Sequence, residues 1–180
     1  DDCTCTPGDS CAEGGTCLYD AVIQGLKRCA RARHPRQALV VITDGADQHS
    51  YQTLDTLIEK VQASHVQVYA IGYYSAFERD LFRDTRQSVY RVDGTAIDNP
   101  LVVFRRLAQE SGAEAFFPFT DGDLRRAVEQ ISTDLRRQYT LAFYPPEDIR
   151  PGEYRRLQIR LKRPGLQVRA RPGYAIPAAK

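Results

Sequence analysis

Apolar side chains recur with two different periods along this chain of 180 residues. Up to about residue 138, segments with apolar residues three and four positions apart, which indicate helices, alternate with short continuous apolar runs. Such runs are typical of strands buried on both faces of a sheet, and we predict strands near 38–43, 66–73 and 115–119. Because strands that alternate with helices form parallel sheets, the pattern predicts an α/β fold, a partial doubly wound (Rossmann-like) parallel sheet with flanking helices.

From residue 139 the apolar period changes to two, as in strands with one covered face. Apolar and basic residues alternate on either side of Pro164-Gly165, which predicts a hairpin with its turn there. If Leu161 faces Val168, all apolar residues share one face, whereas a shift by one residue would set leucines opposite arginines. We therefore predict a three-stranded antiparallel unit from 139 to 174. Residues 79–99 are polar and irregular in pattern, and we predict a long loop there.

Charge is distributed unevenly between these parts. Residues 150–180 contain nine basic residues and one acid, a net charge of +8, whereas the first 149 residues carry 16 bases and 22 acids, a net charge of −6. The longest apolar run is far shorter than the roughly 20 residues of a membrane span. We divide the chain into a Cys-rich segment (1–12), a domain (13–138) and a C-terminal antiparallel β extension (139–180).

All five cysteines lie near the beginning of the sequence. Cys17 and Cys29 fall on one predicted helix and are separated by roughly 18 Å, beyond the ~7 Å that a disulfide allows between Cα atoms. Cys3, Cys5 and Cys11 are expected to pair among themselves or with another chain, and a metal site there would need a fourth ligand.

Two oxygen-bearing residues occupy places where an α/β sheet binds ligands. Asp44 follows the apolar run 38–42, and Thr16 precedes the first predicted helix. Open parallel sheets bind ligands beyond the carboxyl ends of their strands, and a hydroxyl with a carboxylate suits Mg²⁺. From spacing alone, a helix cap for Thr16 and a turn residue for Asp44 are the simpler interpretations.

The sequences GGTCLYDAV (14–22) and ALVVITDGAD (38–47) change this assessment, because together they resemble two of the three loops of the metal-ion-dependent adhesion site in von Willebrand factor A-type domains. The resemblance implies that Thr16 and Asp44 bind Mg²⁺. It also implies a protein partner that offers a carboxylate to the metal.

The C-terminal sequences LRRQYTLAFYPP, PGEYRRLQIRLKR and VRARPGY resemble the end of a bacterial, mostly exported branch of A-domain-related (VWFA-related) proteins. The resemblance therefore covers about residues 13–175. It implies a partial A-type domain over 13–138 and an exported location, periplasmic or extracellular.

One motif of the family is missing from this sequence. The family's Asp-x-Ser-x-Ser loop does not occur, and Asp9-Ser10 is no substitute, because no apolar strand precedes it. The chain is similar to the C-terminal two thirds of such a domain, with an incomplete adhesion site. We therefore expect uncovered apolar surface beside 38–42, where the family's central strand would lie, and self-association through that edge.

Two classes of non-enzymatic function remain open. The first is a protein-binding, adhesion-type module that uses the incomplete Mg²⁺ site. The second is a metal-free structural piece of an exported bacterial protein, which docks through its basic C-terminal sheet. A hydrolase using His49 and Ser50 ranks third, because sequence neighbours rarely form a triad and no G-x-S-x-G elbow occurs. Nucleic-acid binding is not expected, because the basic strands lack interleaved aromatic residues.

Overall fold

The computed structural model describes residues 16–34, 36–43, 46–92, 94–144, 150 and 153–175. The predicted Cys-rich segment and Asp44 lie outside these ranges. The helices are α1 (Leu18–Cys29), α2 (Leu54–Ala63), α3 (Ala76–Phe82), α4 (Pro100–Ser111) and α5 (Asp121–Arg136). The strands are β1 (Ala38–Thr43), β2 (Gln67–Gly72), β3 (Val89–Val92), β4 (Thr95–Asp98), β5 (Ala115–Phe116), β6 (Tyr154–Arg156) and β7 (Gly173–Ala175). None of the described helices has the length and apolar character needed to cross a bilayer.

A parallel sheet with strand order β1-β2-β5 forms the centre of the molecule. β1 and β2 pair in register from Ala38 opposite Gln67 to Thr43 opposite Gly72, and the short β5 continues the sheet from Ala70. All three strands lie where the apolar runs predict them. The predicted α/β fold with flanking helices is confirmed.

Helices cover both faces of β2. Val68 and Ala70 are fully buried in a cluster with α1, α2 and α4, while Tyr69 and Ile71 pack on the other face against α5. The apolar stripes of the helices supply both layers, although Val128 of α5 points outward and its neighbour Ala127 is buried. β2 is therefore the strand buried on both faces that a continuous apolar run predicts.

The prediction that a continuous apolar run is buried on both faces of the sheet is wrong for β1. Leu39 and Val41 are half-buried against the α1 side, but Val40 is 41% exposed and Ile42 is 63% exposed. Val40 pairs with Tyr69 and therefore lies on the face that α5 covers elsewhere. Ala38, at the start of this face, packs against the α5 side, but among the described residues no layer covers Val40 and Ile42. The uncovered apolar surface expected beside 38–42 is thus confirmed.

Residues 79–99 are not a long loop, as the sequence pattern suggests, but contain the end of α3 and a hairpin of β3 and β4. Tyr90 pairs with Ile97, and both pack on Phe82, whose ring centroid lies 5.3 Å from that of Tyr90. Gly94 adopts φ 82, a conformation that the turn needs and that glycine adopts without strain. A few inward apolar residues thus fix the hairpin within a polar segment.

The C-terminal antiparallel unit has two strands in the described residues, β6 and β7, and not the predicted three. Arg156 pairs with Gly173, and extension of this register outward sets Leu161 opposite Val168, as predicted. The described ladder nevertheless ends near Leu157, whose N–H donates to the carbonyl of Pro172 (2.8 Å). No layer of the described structure covers the apolar side chains between Leu157 and Pro172. Further strand pairing would therefore bury little apolar surface and gain little stability.

Gly112 lies where the end of α4 contacts the C-terminal segment. It ends α4 with φ 77, and a Cβ at this position would lie 2.8 Å from the backbone nitrogen of Arg171. We expect Gly112→Ala to lower the free energy of unfolding by about 1–3 kcal/mol from backbone strain alone, with the collision adding to this loss. Urea unfolding measures the effect. Gly165→Ala is the matched control, since Gly165 has φ 79 and no neighbour within 4 Å. Equal losses in both variants would show that the contact with Arg171 contributes nothing.

Candidate functional site

Thr16 lies directly before α1 and does not cap it. The N-cap residue of α1 is Cys17, which makes no side-chain cap hydrogen bond. The carbonyl oxygen of Thr16 instead accepts hydrogen bonds from the backbone N–H groups of Gln48 (2.9 Å) and His49 (3.3 Å). The interpretation of Thr16 as a local helix cap is therefore wrong, and Thr16 lies beside the segment that follows β1.

Asp44, the second predicted ligand, is outside the described residues, so the pair of Thr16 and Asp44 stays a prediction. The described residues on either side are Thr43, which ends β1, and Ala46, which is buried in the cluster of Phe82 and Tyr90. The carbonyl of Thr16 thus contacts the segment that follows the carboxyl end of β1.

Asp47 caps α1 from a distant position in the sequence. Its Oδ1 accepts hydrogen bonds from the backbone N–H of Tyr19 (3.0 Å) and from the hydroxyl of Ser50 (2.5 Å). The backbone N–H of Ser50 approaches the other carboxylate oxygen at 3.4 Å. Because the first N–H groups of a helix have no partner within the helix, Asp47 supplies the acceptor that Cys17 does not.

Asp20 makes the reciprocal connection. Its carboxylate accepts hydrogen bonds from the backbone N–H groups of Tyr51 (2.8 Å) and Gln52 (3.2 Å), and its own N–H donates to the hydroxyl of Ser50 (3.2 Å). We call these two connected segments, residues 16–20 and 46–52, the α1 junction. Neither carboxylate is revealed by a local capping pattern, because each accepts from a backbone N–H that lies 28 or 31 positions away in the sequence.

Tyr19 connects the α1 junction to the hairpin. Its side chain is buried, and its hydroxyl donates to Oδ2 of Asp98 in β4 at 2.7 Å. Burial, followed by this hydrogen bond to Asp98, raises the pKa of Tyr19 far above its ordinary value. The hydroxyl is therefore a fixed donor, and it holds α1 against β4.

Ser50 has a structural role in this arrangement. Its hydroxyl donates to Asp47 and accepts from the N–H of Asp20, so both sides of the hydroxyl are used within the α1 junction. The neighbouring His49 contributes its backbone, which donates to Thr16 and accepts from the thiol of Cys17 at 3.5 Å. These contacts favour the structural interpretation of Ser50 over the hydrolase hypothesis.

The described residues alone do not complete a magnesium site. No group of three or more Asp, Glu, His or Cys residues within the described ranges is arranged to hold a metal ion. The carboxylates of Asp20 and Asp47 already accept backbone N–H groups. Mg²⁺ prefers near-octahedral oxygen coordination and keeps several waters. A Mg²⁺ site formed by Thr16 and Asp44 stays a prediction.

The basic C-terminal segment docks on the domain itself. Arg169 forms ion pairs with Glu114 and with Asp134 of α5. The guanidinium of Arg171 donates to the carbonyls of Val61 (2.9 Å) and Gln62 (3.2 Å), where α2 ends and cations are favoured. Burial lowers the pKa of Arg171. Part of the basic face predicted for this unit is thus used within the chain.

Comparisons with known proteins give little further information about this chain. No protein-family model matches it, and no curated protein is significantly similar to it. Among solved structures, it is similar to the crystal structure of an uncharacterized membrane spanning protein from Vibrio fischeri, with 13% sequence identity and a TM-score of 0.41. The similarity covers 62% of this chain and 53% of that chain, so this chain spans about half the length of that protein. A similarity at this level supports no conclusion about function.

The contacts of Asp47 predict a structural role that a variant can test. We expect Asp47→Ala to lower the free energy of unfolding by about 1–3 kcal/mol, because the N–H of Tyr19 loses its acceptor. Asp47→Asn keeps one oxygen as an acceptor for this N–H and should therefore lower the free energy of unfolding by less. Urea unfolding measures both, with Asp80→Ala as the control for loss of an exposed carboxylate, whose effect should stay within about 0.5 kcal/mol. If Asp47→Ala is as stable as Asp80→Ala, Asp47 does not stabilise α1.

Proposed function

We propose that this chain is a non-enzymatic protein-binding module of the von Willebrand factor A type, and that its binding surface lies at the carboxyl end of β1. The observation that supports the proposal is the α1 junction. It holds Thr16 beside the segment that follows β1, through the carbonyl of Thr16 and the carboxylates of Asp20 and Asp47. A binding surface whose backbone is fixed before the partner arrives loses less entropy on association.

In this proposal Thr16 and Asp44 bind Mg²⁺, and a carboxylate of the protein partner binds to the same ion. The ion would supply the positive charge that attracts the partner's carboxylate. The chain's own contribution is to hold the backbone of Thr16 beside the segment that follows β1, while Asp20 and Asp47 remain on backbone N–H groups. With two protein ligands, we expect weak metal binding without the partner, and we propose an exported location on the strength of the sequence resemblance.

Docking of a metal-free structural piece through the basic C-terminal sheet stays a prediction. A second candidate function that the structure favours is a metal-free piece that associates through β1. The uncovered side chains of Val40 and Ile42 favour it, and so does the sequence ALVVIT of β1, which contains no charged residue and no proline. Edge strands of monomeric proteins usually carry charged residues or proline, because these residues prevent pairing with another chain. Among the described strands β1 pairs with β2 alone, so its other, neutral edge is suited to contact with another polypeptide.

Metal binding separates these two candidates. We expect the full chain to bind Mn²⁺, used as a probe for Mg²⁺, in calorimetric titration, and Asp44→Ala to abolish this binding. Asp44→Ala should change the free energy of unfolding by less than about 0.5 kcal/mol, because the carboxylate would be a ligand and not a packing group. Thr16→Ala should weaken Mn²⁺ binding with an equally small effect on stability, since Thr16 caps no helix. Asp80→Ala is the control that should bind like the wild type. A wild type that does not bind Mn²⁺, or an Asp44→Ala variant that binds equally well, contradicts the metal site.

Self-association tests the open edge. We expect the wild type to form larger species with rising concentration in sedimentation velocity, because β1 exposes neutral backbone and apolar side chains. Ile42→Lys should shift the equilibrium to monomer, since a charge on an edge strand disfavours pairing. Val128→Lys is the matched control, because Val128 is also about half exposed but lies on the outer face of α5. A wild type that remains monomeric at high concentration would rule out association through this edge.

A further inference from the structure

Residues 157–171 form an exposed arm between β6 and β7, which we call the C-terminal arm. Its base is closed by the hydrogen bond from Leu157 to Pro172 and by the β6–β7 ladder. Its tip is the turn at Pro164-Gly165, where glycine adopts φ 79. The arm therefore extends from a fixed base and presents most of its side chains to solvent.

The C-terminal arm exposes aliphatic side chains that a folded protein normally covers. The exposed fractions lie between about two fifths and three fifths for Ile159, Leu161, Leu166 and Val168. A second exposed apolar segment, residues 139–144, lies beside the base of the arm, where the ring centroid of Phe143 is 5.1 Å from that of Tyr174 in β7. This segment also exposes Tyr139, Leu141 and Tyr144. Such a concentration of apolar surface marks an interaction site.

The outer part of the arm carries basic residues that have no acidic partner among the described residues. No acidic residue occurs between residues 154 and 175. Arg160, Lys162 and Arg163 are exposed and form no ion pair within the described part of the chain, in contrast to Arg169 at the base. A partner for this surface must therefore offer negative charge and apolar material side by side.

We infer that the C-terminal arm binds the surface of an anionic phospholipid bilayer. An amphipathic segment at such an interface buries its apolar side chains about 5–10 Å into the boundary between headgroups and acyl chains, while its basic side chains are attracted to the anionic headgroups. Tyrosine side chains, like those of the adjacent segment, are enriched at this depth. A nucleic acid would pair with the arginines but would leave the leucines in water.

The charge of the rest of the chain supports the same orientation. The first 149 residues carry a net charge of −6, which an anionic surface repels, whereas the C-terminal part carries +8. The molecule would therefore approach an anionic membrane with the arm first. The inference does not depend on the proposed function, because it involves no residue of the α1 junction or of β1.

Co-sedimentation of the full chain with lipid vesicles tests the inference. We expect binding to vesicles of phosphatidylglycerol and phosphatidylcholine in equal parts, and none to vesicles of phosphatidylcholine alone. The combined variant Arg160→Gln, Lys162→Gln and Arg163→Gln should bind about a hundredfold more weakly. The combined variant Leu161→Ser and Leu166→Ser should bind more than about tenfold more weakly at the same salt concentration. Both variants should keep the wild-type circular dichroism spectrum and melting temperature, because the changed side chains are exposed.

A matched control removes the same charge elsewhere. Arg83, Arg86 and Arg91 are exposed around the β3–β4 hairpin, which lies on the carboxyl side of the sheet. Their combined change to Gln should leave vesicle binding within about twofold of wild type, since this charge is lost at the opposite edge from the arm. The inference is overturned if the wild type does not sediment with anionic vesicles, or if this control loses as much binding as the arm variant. Wild-type binding by the leucine variant would also overturn it, because the arm would then be a general polyanion site.

Discussion

The burial of β2 on both faces is the constraint on which the rest of the structure depends. Val68 and Ala70 need a layer on one face, while Tyr69 and Ile71 need a layer on the other. Helices α1, α2 and α4 provide the first layer, and α5 provides the second. Within this sheet, the connections from β1 to β2 and from β2 to β5 contain α2 and α4, which both pack on the first face, and such crossovers give the strands their parallel order. Because α5 lies over β2 and β5, β1 receives a layer on one face only.

Helix α1 packs on the covered face of β1, and polar contacts hold its N-terminus in place. Its N-terminus lies at the carboxyl end of β1, and its first N–H groups find acceptors in the segment that follows this strand, not in Thr16 or Cys17. Asp47 and Asp20 each accept from the other's segment, so the helix and the loop fix one another. Tyr19 adds a buried hydrogen bond to β4. The carboxyl edge of the sheet is thereby ordered by polar contacts, whereas the core is ordered by packing.

The sequence predicts the elements that a repeating apolar pattern specifies and misses those that single contacts specify. The strands of the parallel sheet and the presence of flanking helices follow from periodicity, because burial of one stripe or run determines each of them. The β3–β4 hairpin depends on Tyr90 and Ile97 packing on Phe82, which no local pattern reveals. The capping of α1 by Asp47 joins residues far apart in sequence, so a search for local caps cannot find it. The β6–β7 register, extended outward, agrees with the predicted pairing of Leu161 with Val168, but the described ladder does not reach these residues. Alternation predicts which residues would face each other and not whether a layer covers them.

The two proposed surfaces lie at opposite ends of the same sheet. Arg171 contacts the end of α2 and Gly112 ends α4, so the base of the C-terminal arm lies where the chain enters β2 and β5. The α1 junction lies where the chain leaves β1. Because parallel strands point in one direction, an arm bound to lipid at their amino ends directs the carboxyl edge away from the membrane. The acidic character of the main part of the chain favours the same orientation near an anionic surface. A binding module held in this way would present Thr16 and the open edge of β1 to partners in solution, without any contact between the two sites.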